Sequence, residues 1–299
     1  MNVRKPLWLR ITLHAILILG SIIMAYPLVF GAAASLNTQA DFIRSPWFPT
    51  PLSPTLLNYR YLFFSADRFP IWIFNTLVRI VWFVILPATV AVLCGYVFGR
   101  LRFRGREAAF MFLLGSMLVP GIVYQVPLFV MLARWPLAGG NDLFGQGGSG
   151  FINRWPALLL PGIVNVYYIF LLRQTFTTIP ADYEEAARLD GANTLQILTR
   201  VYLPMLVPVL MVLVIFQSVN LWNDYLWPLI TVSANQSIWP VGLGLQRVME
   251  GSVPVRGMQG FNQPFIFAVA TVAILPTIVL FLFFQRYFVE GVQGFGVKG

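Results

Sequence analysis

Apolar residues along this chain come in long unbroken runs, not at the alternating or 3.6-residue spacing of half-buried elements. Six stretches contain no Asp, Glu, Lys or Arg: Ile11–Ala34, Ile80–Phe98, Ala108–Ala133, Trp155–Leu172, Val201–Asn223 and Gly257–Gln285. Each falls within or above the range of roughly 17–25 residues that a helix needs to cross the hydrocarbon core. The second run extends back to Ile71 if Arg79, its only interruption, snorkels to the outer interface. The first run exceeds a signal-peptide core and lacks a small-x-small site after a polar break, so it reads as a retained anchor. The pattern predicts an all-α polytopic membrane protein with six transmembrane helices. Residues 1–10 and 286–299 are the expected cytoplasmic tails, and 11–285 the transmembrane body.

Composition supports lipid as the solvent. Hydrophobic residues make up 58 % and charged residues 10 %, against about 25 % charged in soluble domains. The net charge of +9 does not point to nucleic acid, because the basic residues form short clusters between apolar runs. They encode orientation instead. The segments 1–10, 99–107, 173–200 and 286–299 carry 12 Lys and Arg in 61 residues, and the alternate segments carry 7 in 81. Four of the 12 are Arg100, Arg102, Arg104 and Arg106. Both termini of this multi-pass membrane protein are therefore expected in the cytoplasm.

The chemistry of catalysis is sparse. His14 and Cys94 are the only residues of their kinds, and Cys94 sits in an apolar run as a small hydrophobe. A P-loop needs Gly-Lys followed by Ser or Thr, yet Lys5 follows Arg4 and Lys298 follows Val297. No Gly-x-Ser-x-Gly is present. The chain is expected to be no enzyme and to hold no cofactor or metal, so any ATP and Mg²⁺ must be bound by partner subunits. Of the outer loops, 45–54 has four prolines, which exclude regular helix. Half of 139–150 is glycine, which predicts a flexible link.

The inner stretch 177–204 is the most patterned. Pro180 suits a first helical turn with Thr178 as cap, and Asp182, Glu184 and Glu185 favour that N-terminus. Glu184 and Arg188 stand four apart and can pair. Gly191 fits a left-handed helix end, and Asn193 with Gln196 a capping box for the next helix. A short helix, a sharp turn and a helix rising toward Leu203-Pro204 are expected at the cytoplasmic face.

Glu185-Ala186-Ala187, three residues, Gly191, nine residues, then Val201-x-Leu203-Pro204 resembles the EAA loop of ABC importer permeases. Val201 replaces the family's Ile. Asn75-Thr76, Gly95-Tyr-Val-Phe-Gly-Arg100, Trp222-Asn-Asp-Tyr-Leu-Trp-Pro-Leu229 and the tail from Gln285 look like the carbohydrate-uptake branch, akin to the smaller maltose-type permease. The resemblance covers nearly the whole chain except 139–150, which reads as a lineage-specific outer insertion. It implies a type I importer fold and a permease forming half of a path for a sugar or polyol. It also implies a second homologous permease, two copies of an ATP-binding subunit and an extracytoplasmic solute-binding protein. In that family the EAA helix docks on the ATPase. Glu184, Glu185, Ala186, Ala187, Asp190, Gly191, Leu203 and Pro204 are the coupling positions it implies here.

Asp224 lies 23 residues beyond Val201, roughly 35 Å of helix, so it is expected at the outer interface. It is either an interfacial acid beside Trp222 and Trp227 or a substrate contact. Gln217, Asn220 and Asn223 share a face of the same helix. Their amides either line a sugar path, together with Asn75, or tie helices to one another. A stand-alone ion-coupled transporter is the alternative, but the central runs lack acids. A lipid-acting enzyme lacks its catalytic cluster.

Overall fold

The structure is a computed structural model and describes residues 7–49, 53–65, 68–255 and 262–295. Within these its regular secondary structure is all helical, without strands among the described residues. The helices in chain order are α1 (Leu7–Ser35), α2 (Gln39–Arg44), α3 (Leu57–Arg60), α4 (Phe69–Gly99), α5 (Arg106–Ser116), α6 (Gln125–Ala133) and α7 (Trp155–Leu159). They continue as α8 (Val166–Thr178), α9 (Asp182–Leu189), α10 (Thr194–Gln196), α11 (Leu203–Trp222), α12 (Leu226–Val232), α13 (Val241–Met249) and α14 (Gln263–Phe295). A π-helical turn, Ile197–Tyr202, joins α10 to α11.

Four described helices are long and apolar enough to span a membrane: α1, α4, Thr194–Trp222 and Gln263–Phe283. The third expected run gives a fifth candidate bent by 85° between α5 and Gly121–Ala133. Pro120 sits in that break, where it cannot continue a helix. The fourth expected run is not one helix. Pro161, and Gly162 at φ +86°, part α7 from α8. The six-run pattern therefore survives as apolar stretches, two of them broken. The expected start of the last run at Gly257, together with Arg4, Lys5, Pro51, Arg256 and Lys298, lies outside the described residues.

The chain divides into two compact units, Met1–Phe69 with Arg247–Pro276 and Pro70–Gln246 with Thr277–Gly299. In the first, Thr38 caps α2 by accepting from the Asp41 amide. Asn58 Nδ2 donates to the Ser35 and Asn37 carbonyls at 2.8 and 3.0 Å. Phe30 and Phe42 meet Phe267, while most of α1 presents bare apolar side chains along its length. The second unit has a core built by Tyr96, Tyr168, Leu172, Phe176, Tyr202 and Leu206. There α4 lies against α8 so closely that an added Cβ at Gly95 would stand 2.9 Å from Leu172 Cβ, and one at Gly99 2.9 Å from Phe176 Cβ. Two small residues four apart let helix backbones approach in lipid.

The Gly-rich segment is folded and corrects the expectation of a flexible link. Asn141 Nδ2 donates to the Ala133 and Trp135 carbonyls at 2.9 Å, and its Oδ1 accepts from the Gly148 amide. Asp142 Oδ1 accepts from the Phe144 and Gln146 amides at 2.8 and 2.9 Å. The glycines are places where backbones touch. An added Cβ at Gly145 would overlap the Arg134 carbonyl, and one at Gly150 the Leu132 carbonyl.

Candidate coupling and translocation site

At the coupling end, α8 runs through Thr178 and stops because Pro180 drives Ile179 out of helical space, to ψ 129°. The next helix, α9, then begins at Asp182 with Ala181 as its uncapped N-cap. This moves the expected start from Pro180. Thr178 also does not cap α9, since its hydroxyl donates back to the Thr175 carbonyl. The C-terminal signals match expectation. Gly191 has φ +81°, and Asn193 and Gln196 form both bonds of a capping box at 2.9 and 2.8 Å.

The two neighbouring glutamates of α9 differ in setting. Glu185 is exposed, as are Ala186, Asp190, Tyr183 and, at 89 %, Leu189. Glu184 is turned inward with its side chain 16 % exposed. It accepts from Arg188 at 2.7 Å and from the Tyr202 hydroxyl at 2.6 Å. Burial pushes the Glu184 carboxyl up, but the bonds from Tyr202 and Arg188 together outweigh this and hold it below its ordinary value. The ring of Tyr202 is buried between Tyr96 and Phe176, and the Arg100 guanidinium lies 5.0 Å from its centroid. Arg100 also donates to the Ile179 carbonyl. Ala187 is half-buried beside the joint, and Leu203 and Pro204 open α11. Sequence reasoning pairs Glu184 with Arg188 but misses Tyr202 and Arg100, whose partners are tertiary. It also passes over Tyr183 and Leu189, although their apolar character on a charged helix is visible in the sequence.

At the other end of α11, α4 presents one stripe at helical spacing, Trp72, Asn75, Thr76 and Arg79, all buried. The Trp72 indole donates to the Gln236 carbonyl at 3.1 Å. Asn75 Nδ2 donates to the Ser237 and Trp239 carbonyls, both at 2.9 Å. Thr76 accepts from the Val241 amide at 2.8 Å. These bonds satisfy backbone groups of the 3-10 turn Gln236–Ile238 and its flanks between α12 and α13, which lipid cannot do. Arg79 Nη2 reaches Asp224 Oδ2 at 2.5 Å. Arg79 is 2 % exposed, so it does not snorkel to the outer interface, and its Nε and Nη1 meet no hydrogen-bond partner among the described residues. Asp224 is thus an ion-pair partner, its side chain 22 % exposed.

The three amides on α11 separate. Gln217 accepts from the Tyr168 hydroxyl at 2.6 Å, tying α11 to α8. Asn223 is exposed and donates to the Val219 carbonyl of its own helix. Asn220 is exposed. No group of three or more metal-ligating side chains occurs among the described residues.

Residues 90–294 match the family described as binding-protein-dependent transport system inner membrane component. The chain belongs to that family. Similar proteins include the arabinooligosaccharides transport system permease protein AraQ of Bacillus subtilis, 29 % identical over 97 % of this chain and 96 % of AraQ. They also include the sn-glycerol-3-phosphate transport system permease protein UgpE of Brucella suis, 28 % identical over 93 % and 94 %. The lactose transport system permease protein LacG of Rhizobium radiobacter is 26 % identical over 94 % of each chain. A chain in the crystal structure of a bacterial ABC transporter that imports the acidic polysaccharide alginate has the same fold. Its TM-score is 0.78 at 24 % identity, covering 96 % of this chain and 99 % of that one. This family member is therefore a multi-pass inner-membrane permease of an ABC importer, and a transport component rather than an enzyme. It works in a complex with an ATPase and a binding protein. The ion-coupled alternative is not favoured, because the family that this chain belongs to is a component of binding-protein-dependent transport systems.

Proposed function

We propose that this chain is one of two homologous permeases of a bacterial or archaeal sugar importer, with six crossings and both termini in the cytoplasm. Residues 1–10 and 286–299 form the tails of the transmembrane body 11–285. The α5–α6 pair supplies the third crossing and the α7–α8 pair the fourth. Two copies of an ATP-binding subunit hold ATP and Mg²⁺, and this chain holds neither. An extracytoplasmic binding protein delivers a sugar or related polyol. The relatives' arabinooligosaccharide, lactose and glycerol phosphate systems support that substrate class.

Helix α9 is the handle for the ATPase. The observation that carries this reading is a short helix with Glu185, Ala186 and Leu189 bare on one side and Glu184 anchored on the other. Asp190 and Gly191 close it, and Leu203-Pro204 pass the motion into α11. Binding of ATP to one of two states shifts the population toward it, and with it the cavity from inward to outward access. Gln217 and Asn220 of α11, with Asn223 and Asp224 just beyond its end, are the residues proposed to line the path, and Asn75 of α4 holds the segment proposed to lie beside it.

Gly191→Val tests the handle. Nothing lies within 4 Å of a Cβ built there, so the penalty is backbone alone, about 1–2 kcal/mol for a left-handed residue. Valine also re-aims the helix that follows. Gly191→Val and Glu185→Lys should both insert in the membrane, yet lose the ATP-binding subunit in detergent pull-downs. Uptake of labelled arabino-oligosaccharides, lactose or glycerol 3-phosphate should fall with it. Normal pull-down and uptake by both variants would show that α9 is only a solvated surface helix.

A further inference from the structure

Between α9 and α11 the backbone departs from regular α-helix at two places. One is Gly191, in left-handed conformation with open space around it. The other is the π-helical turn Ile197–Tyr202, a form rare in proteins and often found at functional sites. A push delivered to α9 and carried only along the chain would have to pass both of these points. A side-chain link crosses both of them. Tyr202, the last residue of the π turn, reaches back 18 positions and donates its hydroxyl to Glu184 Oε2 at 2.6 Å.

The far end of that link is seated rigidly. Tyr202 is fully buried, with its ring 5.3 Å from Phe176 of α8 and 5.8 Å from Tyr96 of α4. Arg100, just past the end of α4, covers the same ring and holds the Ile179 carbonyl at the end of α8. Helices α4, α8 and α11 therefore meet at one phenol, and that phenol is hydrogen-bonded to α9.

We infer that Tyr202 and Glu184 form a cross-brace that transmits displacement of α9 to α11, α4 and α8, separately from the exposed face that docks the ATPase. The inference rests on α9 being the coupling handle. Tyr202 and Glu184 are positioning residues: they touch neither ATP nor sugar. The step involves no bond beyond the O–H···O link.

The test separates docking from transmission. In a Cys94→Ser background, which removes the single cysteine, Asn223→Cys at the exposed far end of α11 is labelled with bimane. The assembled transporter is purified through a tag on this chain and mixed with Mg²⁺ and the non-hydrolysable analogue AMP-PNP. The parent should show an emission shift on nucleotide addition. Tyr202→Phe, which removes only the hydroxyl, should retain the ATP-binding subunit at parental stoichiometry and lose at least four-fifths of the shift. Glu184→Ala should behave alike, while Glu184→Gln, which keeps a carbonyl acceptor, should recover most of it. A full shift in Tyr202→Phe overturns the brace, and so does loss of the ATP-binding subunit from that variant, which would mean that the hydroxyl supports docking instead of transmission. If the parent shows no shift, or if Gly191→Val and Glu185→Lys both keep normal pull-down of the ATP-binding subunit and normal uptake, the coupling reading itself fails.

Discussion

A charge buried in a membrane helix is tolerated only when something nearby holds it, and Arg79 is held by Asp224. Taking both charges out of water is costly, and a pair of this kind adds little net stability compared with apolar residues of the same size. Removing one partner is different, because it leaves the other charged and unmatched. Asp224→Asn should therefore destabilise the permease by roughly 3–5 kcal/mol, the cost of breaking a buried pair. Arg79→Met combined with Asp224→Leu should recover most of that loss. Thermal unfolding in detergent reads both, and an Asp224→Asn midpoint equal to the parent's would mean that the pair carries no stability. The sequence shows an acid within an apolar context and an arginine interrupting an apolar run. It does not show that they face each other, because they are 145 residues apart and only the packing of α4 against the end of α11 joins them. Glu184 and Arg188 are legible for the opposite reason, since their spacing of four closes within one helix.

Helices reveal themselves by what interrupts them, and loops by what their side chains can bond to. The charge-free runs place α1, α4 and α11 well, because apolar length alone decides them. The fourth run misleads, because an apolar stretch says nothing about whether Pro161 and Gly162 will break it. In 139–150 glycine content was the weaker signal. Asn141 and Asp142, whose side chains bond the backbone a few residues on, were the stronger one. The glycines there permit contact between chain segments instead of motion. This has a testable consequence at Phe144, which is 84 % exposed and adjoins Gly145 at φ +74°. Proteases prefer mobile loop tips, so chymotrypsin should leave the parent uncut at Phe144 despite its exposure. Gly145→Ala adds a Cβ against the Arg134 carbonyl and forbids the left-handed turn, so the same bond should be cleaved at least tenfold faster. Mass spectrometry of the fragments decides it, and equal cleavage of the two proteins would restore the flexible link.

For the whole molecule the governing constraint is which face of the bilayer each connection occupies. If α9 is the ATPase handle proposed above, it faces the cytoplasm, and that fixes the side of every other loop once the crossings are counted. Between α9 and the arginine cluster 100–106 lie the bent pair α5–α6 and the broken pair α7–α8. If each pair crosses once, the cluster and α9 share a face, and the folded segment 139–150 lies on the other. The density of Lys and Arg agrees, and so does the internal hydrogen bonding of 139–150, which lets that segment stand in water without a neighbour. If either pair turned back as a re-entrant loop, the arginines and α9 would fall on opposite faces. A reporter active only in the cytoplasm should therefore be active when fused after Arg104 or Gly299 and silent when fused after Gly147. Activity at Gly147 comparable to that at Arg104 would make α5–α6 re-entrant. The third and fourth runs would then need a different pairing before α9 could reach its ATPase.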